Sequence, residues 1–179
     1  MSAGPTFVLF SGHNDRAVVA LCRFLGGQGL RLAIIASGLG DAIWRTAWRR
    51  HVVMSRLNPQ LDLALYDAVA QAVGAAGVLC PTTEYMNQFL LDHRAEVEST
   101  GLCLTLPAAA LYARLTGKLS SQAVVERLTG LCPPPTLPAG GWRAPCVIKP
   151  RENIHAGVVR YPLLCLTEEA LSQALAGID

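Results

Sequence analysis

The sequence predicts an α/β protein in which a doubly wound, mostly parallel sheet is followed by a smaller, partial α+β unit. Two observations lead there. From Thr6 to Leu106, apolar runs of strand length alternate with stretches of helix length, the pattern of a parallel sheet covered on both faces. Near residue 116 the pattern changes to a helix, a proline-rich connector and two short strands. With 179 residues that are 51% hydrophobic and a mean hydropathy of +0.34, burial can offset chain entropy, which excludes a disordered chain.

The elements follow in order. Thr6 to Phe10 reads as a buried strand. Ser11 to Asp15 is a polar turn with Asn14 or Asp15 as helix N-cap. Val18, Leu21, Cys22 and Leu25 recur at i, i+3, i+4, i+7, an amphipathic helix that stops at Gly26-Gly27 and Gly29. Leu30 to Ala36 and Val52 to Met54 are the next strands. A helix within Asp62 to Ala76 presents Leu65, Val69, Ala72 and Val73 on one face, and Gly77 breaks it. Val78 to Cys80 is a fourth strand, a helix spans about Glu84 to Glu98, and Gly101 to Leu106 returns to strand. Further on, Leu119 to Leu128 suits a helix with Ala123, Val124 and Leu128 apolar. Cys132 to Gly141 holds prolines that neither a helix nor a central strand accepts. Cys146 to Lys149 and Gly157 to Arg160 are short strands joined through a polar loop, Pro150 to Ala156. Thr167 caps a last helix to about Ala176, with Glu168 and Glu169 in the first turn where the dipole favours carboxylates. Residues 1–116 thus form one domain, and 117–179 begin another too small to close a core alone.

Charge narrows the function. Lys+Arg 15 against Asp+Glu 13 gives a net +2, too mild to argue for nucleic acid or a membrane surface. Trp44 to His51 interleaves tryptophan with arginine. In so balanced a chain the tryptophans are expected to pack and the arginines to be solvated or locally paired. No apolar run approaches the ~18 residues of a bilayer span, and Met1 to Phe10 lacks the basic start of a signal peptide. The six cysteines include no C-x-x-C pair and mostly sit in apolar or strand-like surroundings. Reduced, buried thiols in a cytoplasmic protein are expected.

Three places carry candidate chemistry. The first strand-to-helix turn, with His13 and Asn14, sits where doubly wound folds bind ligands. It lacks G-x-G-x-x-G, and no acidic residue directly follows the second strand, which disfavours a dinucleotide. Those residues either meet a small-molecule substrate or cap a helix. In Pro81-Thr82-Thr83-Glu84, the Thr82 and Thr83 hydroxyls and the Glu84 carboxylate could receive a substrate amine or hydroxyl, or Thr82 or Thr83 could cap the next helix, or both. Lysine occurs only at Lys118 and Lys149. Lys149 ends an apolar strand, where an unpaired ammonium is costly. Either a phosphate meets it, a natural partner for a compact charge, or it reaches solvent.

Taken in order, these features resemble the N-terminal part of ATP-grasp ligases, especially the carbamoyl-phosphate-synthetase-like branch. Pro81-Thr82-Thr83-Glu84 is similar to the family's P-x-[ST]-E turn. Arg49-Arg50-His51-Val52-Val53 resembles its arginine-containing run entering a strand. Gly117-Lys118-Leu119 is similar to its [DG]-K helix start, and Pro133-Pro134-Pro135-Thr136 to its P-x-P-x-T. Pro145-Cys146-Val147-Ile148-Lys149-Pro150 matches its P-x-V-[IV]-K-P strand. The likeness covers about residues 6–177.

The resemblance implies a Rossmann-like pre-ATP-grasp domain followed by the opening of an ATP-grasp domain. It implies ATP and Mg²⁺ as cofactors of the complete enzyme, with Lys118 and Lys149 at the nucleotide. His13, Asn14, Thr83 and Glu84 would lie at the substrate edge. The loop after Lys149 departs from the family's Gly/Ser-rich form, with one glycine in residues 151–157. The acidic and asparagine residues that hold Mg²⁺ belong to a second lobe downstream. This chain is therefore expected to be inactive alone and to associate with the remainder of that lobe, a second chain, or its own copy as a homodimer. The alternative is a non-catalytic small-molecule-binding or assembly module of α/β type.

Overall fold

The computed structural model describes residues 4–57, 60–74, 76–129, 141–150, 154–155 and 158–177. It divides into two units, Met1–Ala109 and Ala110–Asp179, whereas the sequence places the change at 116.

The first unit is built on five strands: β1 (Thr6–Phe10), β2 (Arg31–Ala36), β3 (Val52–Ser55), β4 (Gly77–Leu79) and β5 (Cys103–Leu104). All pair in parallel, in the order β3-β2-β1-β4-β5. The chain winds outward from β1 to β3, then restarts on the other side of β1, so the sheet has a topological switch between β1 and β4. Its inner strands are unbroken apolar runs because both faces are buried. Val8, Phe10, Ala33 and Ile35 face one core. Leu9, Leu32, Ile34 and Ala36 face the other, as the two-residue period of a strand requires.

Helix α1 (Asp15–Gly27) and two 3₁₀ turns (Ala42–Arg45 and Ala47–His51) supply the second core. Asn14 is the cap of α1, its Oδ1 accepting from the Ala17 amide at 3.2 Å. Val18, Cys22 and Leu25 are buried, as the spacing predicts. Trp44 and Trp48 pack against this core while Arg45, Arg49 and Arg50 are exposed. Trp48 approaches α1 so closely that a β-carbon on Gly26 would stand 2.6 Å from its ring.

Helices α2 (Leu63–Val73), α3 (Glu84–Asp92) and α4 (Arg94–Ser99) supply the first core. The expected face of α2 is rotated. Tyr66 and Val69 are the buried residues, Leu65 and Val73 are half-buried, and Ala72 is exposed. Tyr66 wins the interior because its ring stacks on Phe89 at 5.5 Å and meets Phe10 at 5.6 Å. Its hydroxyl finds no hydrogen-bond partner. Tyr66→Phe keeps the rings and removes a desolvated polar group, so it is expected to raise stability by about 1 kcal/mol or more in denaturant unfolding; a fall would refute the burial argument.

The helix expected over Glu84 to Glu98 is interrupted at His93. The stripe Met86–Leu90 would continue through His93 or Arg94, which are polar. The chain instead turns there and buries Val97, while Arg94 Nη2 donates to the carbonyls of Leu106 (2.8 Å) and Pro107 (2.6 Å).

Helix α5 (Ala109–Thr116), which the sequence reading omits, starts at the boundary, and the second unit continues with α6 (Lys118–Thr129). Strand β6 (Cys146–Ile148) pairs antiparallel with β9 (Leu163–Cys165), and β7 (Ile154–His155) with β8 (Val158–Val159). The two expected strands are present as β6 and β8, and among the described residues each has a further partner, β9 and β7. Helix α7 (Glu168–Ala176) is capped by Thr167, whose Oγ1 accepts from the Ala170 amide at 3.2 Å. Of the described hydrophobic residues here, only Cys165 and Leu171 are fully buried, while Val147, Leu163, Leu164 and Leu166 stay exposed. The connector at 130–140 lies outside the described residues. No helix among the described residues is long and apolar enough to cross a membrane.

Candidate functional site

The parallel sheet brings four segments to the carboxyl ends of its strands: Ser11 to Asn14 after β1, Ser37 to Asp41 after β2, Arg56 after β3, and Cys80 to Glu84 after β4. The switch between β1 and β4 lies there, where open α/β sheets in general have the crevice that takes a ligand.

Asp41 clasps the first two segments. Its Oδ1 accepts from Ser11 Oγ (2.7 Å) and the Ile43 amide (2.9 Å). Its Oδ2 accepts from the Ser37 amide (2.7 Å) and Ser37 Oγ (3.0 Å). Burial alone would push this carboxyl up, but the donated hydrogen bonds reverse that and hold it below the usual range. A carboxylate so saturated is a structural anchor with no oxygen reserved for a ribose.

Arg56 is 5% exposed. Its amide donates to the Ala36 carbonyl at 2.8 Å, and Nη2 donates to the Ser11 carbonyl at 3.1 Å. Arg56 thus ties the ends of β1, β2 and β3 together, its backbone amide holding β2 and its guanidinium the turn after β1, and brings a buried positive charge to these strand ends. Burial pulls its pKa down, opposed by Tyr66, Asp41 and Tyr85. His13 feels the consequence. Burial first, then the Arg56 charge, hold its imidazole below the usual value, so it is neutral at neutral pH. Its ring lies 5.9 Å from that of Tyr85, and its Nε2 is buried with no hydrogen-bond partner.

From the other side of the crevice, the Thr82 carbonyl accepts from Asn14 Nδ2 at 3.3 Å, joining the two turns. Thr82 Oγ1, like His13 Nε2, is buried and unpartnered. Thr83 is the N-cap of α3, its Oγ1 accepting from the Met86 amide at 3.2 Å. Glu84 stands exposed in the first turn. The structure therefore brings His13, Asn14, Thr83 and Glu84 into two adjoining turns. Asn14 and Thr83 spend their side chains on caps. His13 and Thr82 carry the atoms that still lack partners, beside a buried cation. Chemically, this arrangement suits a polar or anionic small molecule.

The lysines belong to the second unit. Lys118 is the first residue of α6, and its Nζ donates to the Pro150 carbonyl at 2.5 Å. Lys149 lies one residue beyond β6 and is exposed. That corrects the expectation of an ammonium on a buried strand: β6 is only half-buried and Lys149 reaches solvent, so desolvation gives it no need of a partner. Most of the loop after Lys149 (151–153 and 156–157), like Pro133 to Thr136, lies outside the described residues. Of the described cysteines, Cys22 and Cys165 are buried, Cys80 and Cys146 half-buried and Cys103 exposed, so the expectation of general burial holds only in part.

No family model, curated protein or solved structure matches this chain. The Rossmann-like layout of the first unit accordingly rests on its own strand order. Among the described residues no group of three or more His, Cys, Asp or Glu side chains could hold a metal ion.

Sequence reasoning missed Asp41 and Arg56 as parts of this site. A signal was present. Ser11-Gly12 and Ser37-Gly38 follow β1 and β2 alike, and Asp41 comes four residues after the second serine. Twin Ser-Gly turns beside a carboxylate describe two strand ends sharing one acceptor. Arg56 offered no comparable pattern, because a single arginine after a strand reads as an ordinary surface cation.

Proposed function

We propose that this chain is the N-terminal portion of an ATP-grasp-type ligase that joins a carboxylate to an amine or similar nucleophile. The observation that carries this reading is the Lys118–Pro150 hydrogen bond. It sets the ammonium of one lysine against the backbone next to the other, across 32 residues of sequence. The two lysines in a chain with 13 arginines thus stand on neighbouring segments. ATP, when bound, supplies the phosphoryl group that activates a carboxylate. Lys118 and Lys149 would meet its phosphates as compact point charges, and the exposed Lys149 fits that role. No metal-dependent step is derived, since the residues that would hold Mg²⁺ are expected on the second lobe. The reading expects the metal-holding lobe, on the rest of a ligase or on a second chain, to be required for turnover. The first unit would present the small-molecule substrate at the crevice holding His13 and Thr82.

A second reading is favoured by that crevice alone: a non-catalytic, small-molecule-binding or assembly module of α/β type. Its partnerless buried atoms require no nucleotide. Calorimetry with ATP on the wild type and on Lys149→Ala separates the two. The ligase reading expects wild-type binding and about tenfold weaker binding in the variant, the loss of one charge-assisted contact. Identical or absent binding in both removes the nucleotide site and leaves the module.

A further inference from the structure

Two of the six cysteines face each other across a strand pair. Cys146 of β6 and Cys165 of β9 occupy directly opposite positions in an antiparallel register. Opposite residues of such a pair stand roughly 4.5–5.5 Å apart at Cα, within the ~4.4–6.8 Å that a disulfide spans. No other two described cysteines share a register position: Cys22 is on α1, Cys103 pairs with Val78, and Cys80 follows β4. The side chains of Cys146 and Cys165 are also close enough to share a hydrogen bond. Both are free thiols.

We propose that Cys146 and Cys165 form a redox-responsive dithiol, closing to a cross-strand disulfide when the chain meets an oxidising small disulfide. Cys146 is the entry point, being half-buried where Cys165 is 2% exposed. Its thiolate sulfur attacks one sulfur of oxidised glutathione, that S–S bond breaks, and one glutathione leaves as a thiolate that takes up a proton. Cys165 then gives up its proton, its sulfur attacks the Cys146 sulfur, and the second glutathione leaves and is protonated in turn. In sum two protein thiols are oxidised and one glutathione disulfide is reduced to two thiols.

The surroundings fit a pair that rests reduced. Burial, then the neighbouring Cys165 and the Glu168 carboxylate, raise the Cys146 thiol above its usual range, so few thiolates are present at neutral pH. Glu168 is held there by its Oε1, which accepts from the Ala144 amide at 2.8 Å. The segment that the disulfide would close, residues 146–165, carries Lys149 and the β7–β8 hairpin, so oxidation staples both ends of that segment. This inference is independent of what Lys149 binds.

The test is peptide mapping by mass spectrometry of the full chain after incubation with oxidised glutathione, followed by alkylation. The expected result is a Cys146–Cys165 linked peptide pair, loss of two titratable thiols, and full recovery on adding a thiol reductant. Cys103→Ser should leave the linked pair unchanged and Cys146→Ser should abolish it. Glutathione adducts on Cys146 with no linked pair, or links that form first between other cysteines such as Cys132, would overturn the proposal. The wild-type map decides the matter even if Cys146→Ser does not fold.

Discussion

Replacing Asp41 by alanine is expected to cost the first unit about 4 kcal/mol, because it orphans several buried donors at once. Ser11 is 1% exposed, so its hydroxyl has no ready access to water once the carboxylate is gone. The amides of Ser37 and Ile43 lose their acceptors in the same step. Each unsatisfied buried group costs about 1–3 kcal/mol, and water entering at the half-buried Ser37 recovers part of the total. For a unit of this size, such a loss lowers the thermal midpoint by roughly 15–30 °C. Asp41→Asn keeps one carbonyl oxygen as acceptor but turns an NH₂ towards donors, so it should lie between wild type and alanine. If denaturant unfolding shows Asp41→Ala within 1 kcal/mol of wild type, the clasp does not hold the strand ends together.

The same carboxylate gives a pH dependence of defined sign. Its folded-state pKa is depressed below the unfolded value. The unfolded chain therefore takes up the proton first as pH falls. The contribution is complete above the ordinary aspartate range of about 4. It is lost as pH drops through that range to the lower folded value. The stability gap between wild type and Asp41→Ala should accordingly be widest at neutral pH and shrink in strong acid.

How much of this could be read beforehand depends on where the information sits. The strands β1 and β2 and the caps at Asn14 and Thr167 were legible because they are local: an apolar run of fixed length, or an oxygen-bearing residue before a helix. The face of α2 was not. Leu65, Val69, Ala72 and Val73 satisfy the helical period, yet Tyr66 fills the interior because Phe10 and Phe89 wait for it from other elements. Strand β9 was missed for a similar reason, since Leu163 to Cys165 becomes a strand through pairing with β6. For the candidate site, position was legible and roles were not. His13, Asn14, Thr83 and Glu84 fall at the switch point as expected. Which side chains remain without partners depends on hydrogen bonds between segments distant in sequence, such as Ser11 to Asp41 and Asn14 to Thr82.

Gly12→Ala tests the close approach that makes this site possible. Gly12 has φ +87, and a β-carbon there would lie 2.0 Å from Ser37 Oγ and 2.3 Å from Ser37 Cβ. Neither distance can be relieved by a swing of the serine, because its hydroxyl and its amide are both held by Asp41. The left-handed backbone adds about 1–2 kcal/mol for any residue with a side chain, and overpacking a fixed neighbour adds about 1–3 kcal/mol. A total near 3 kcal/mol is expected. Ser37→Gly removes both colliding atoms, so the double variant should lose less than the sum of the single ones, by about 1 kcal/mol or more of favourable coupling. The backbone cost remains in the double variant, so rescue should be partial. Additive losses would mean that the β1 and β2 turns do not meet as described. In that case Arg56 and His13 would not share a crevice, since the Ser11 carbonyl that holds Arg56 belongs to the same turn.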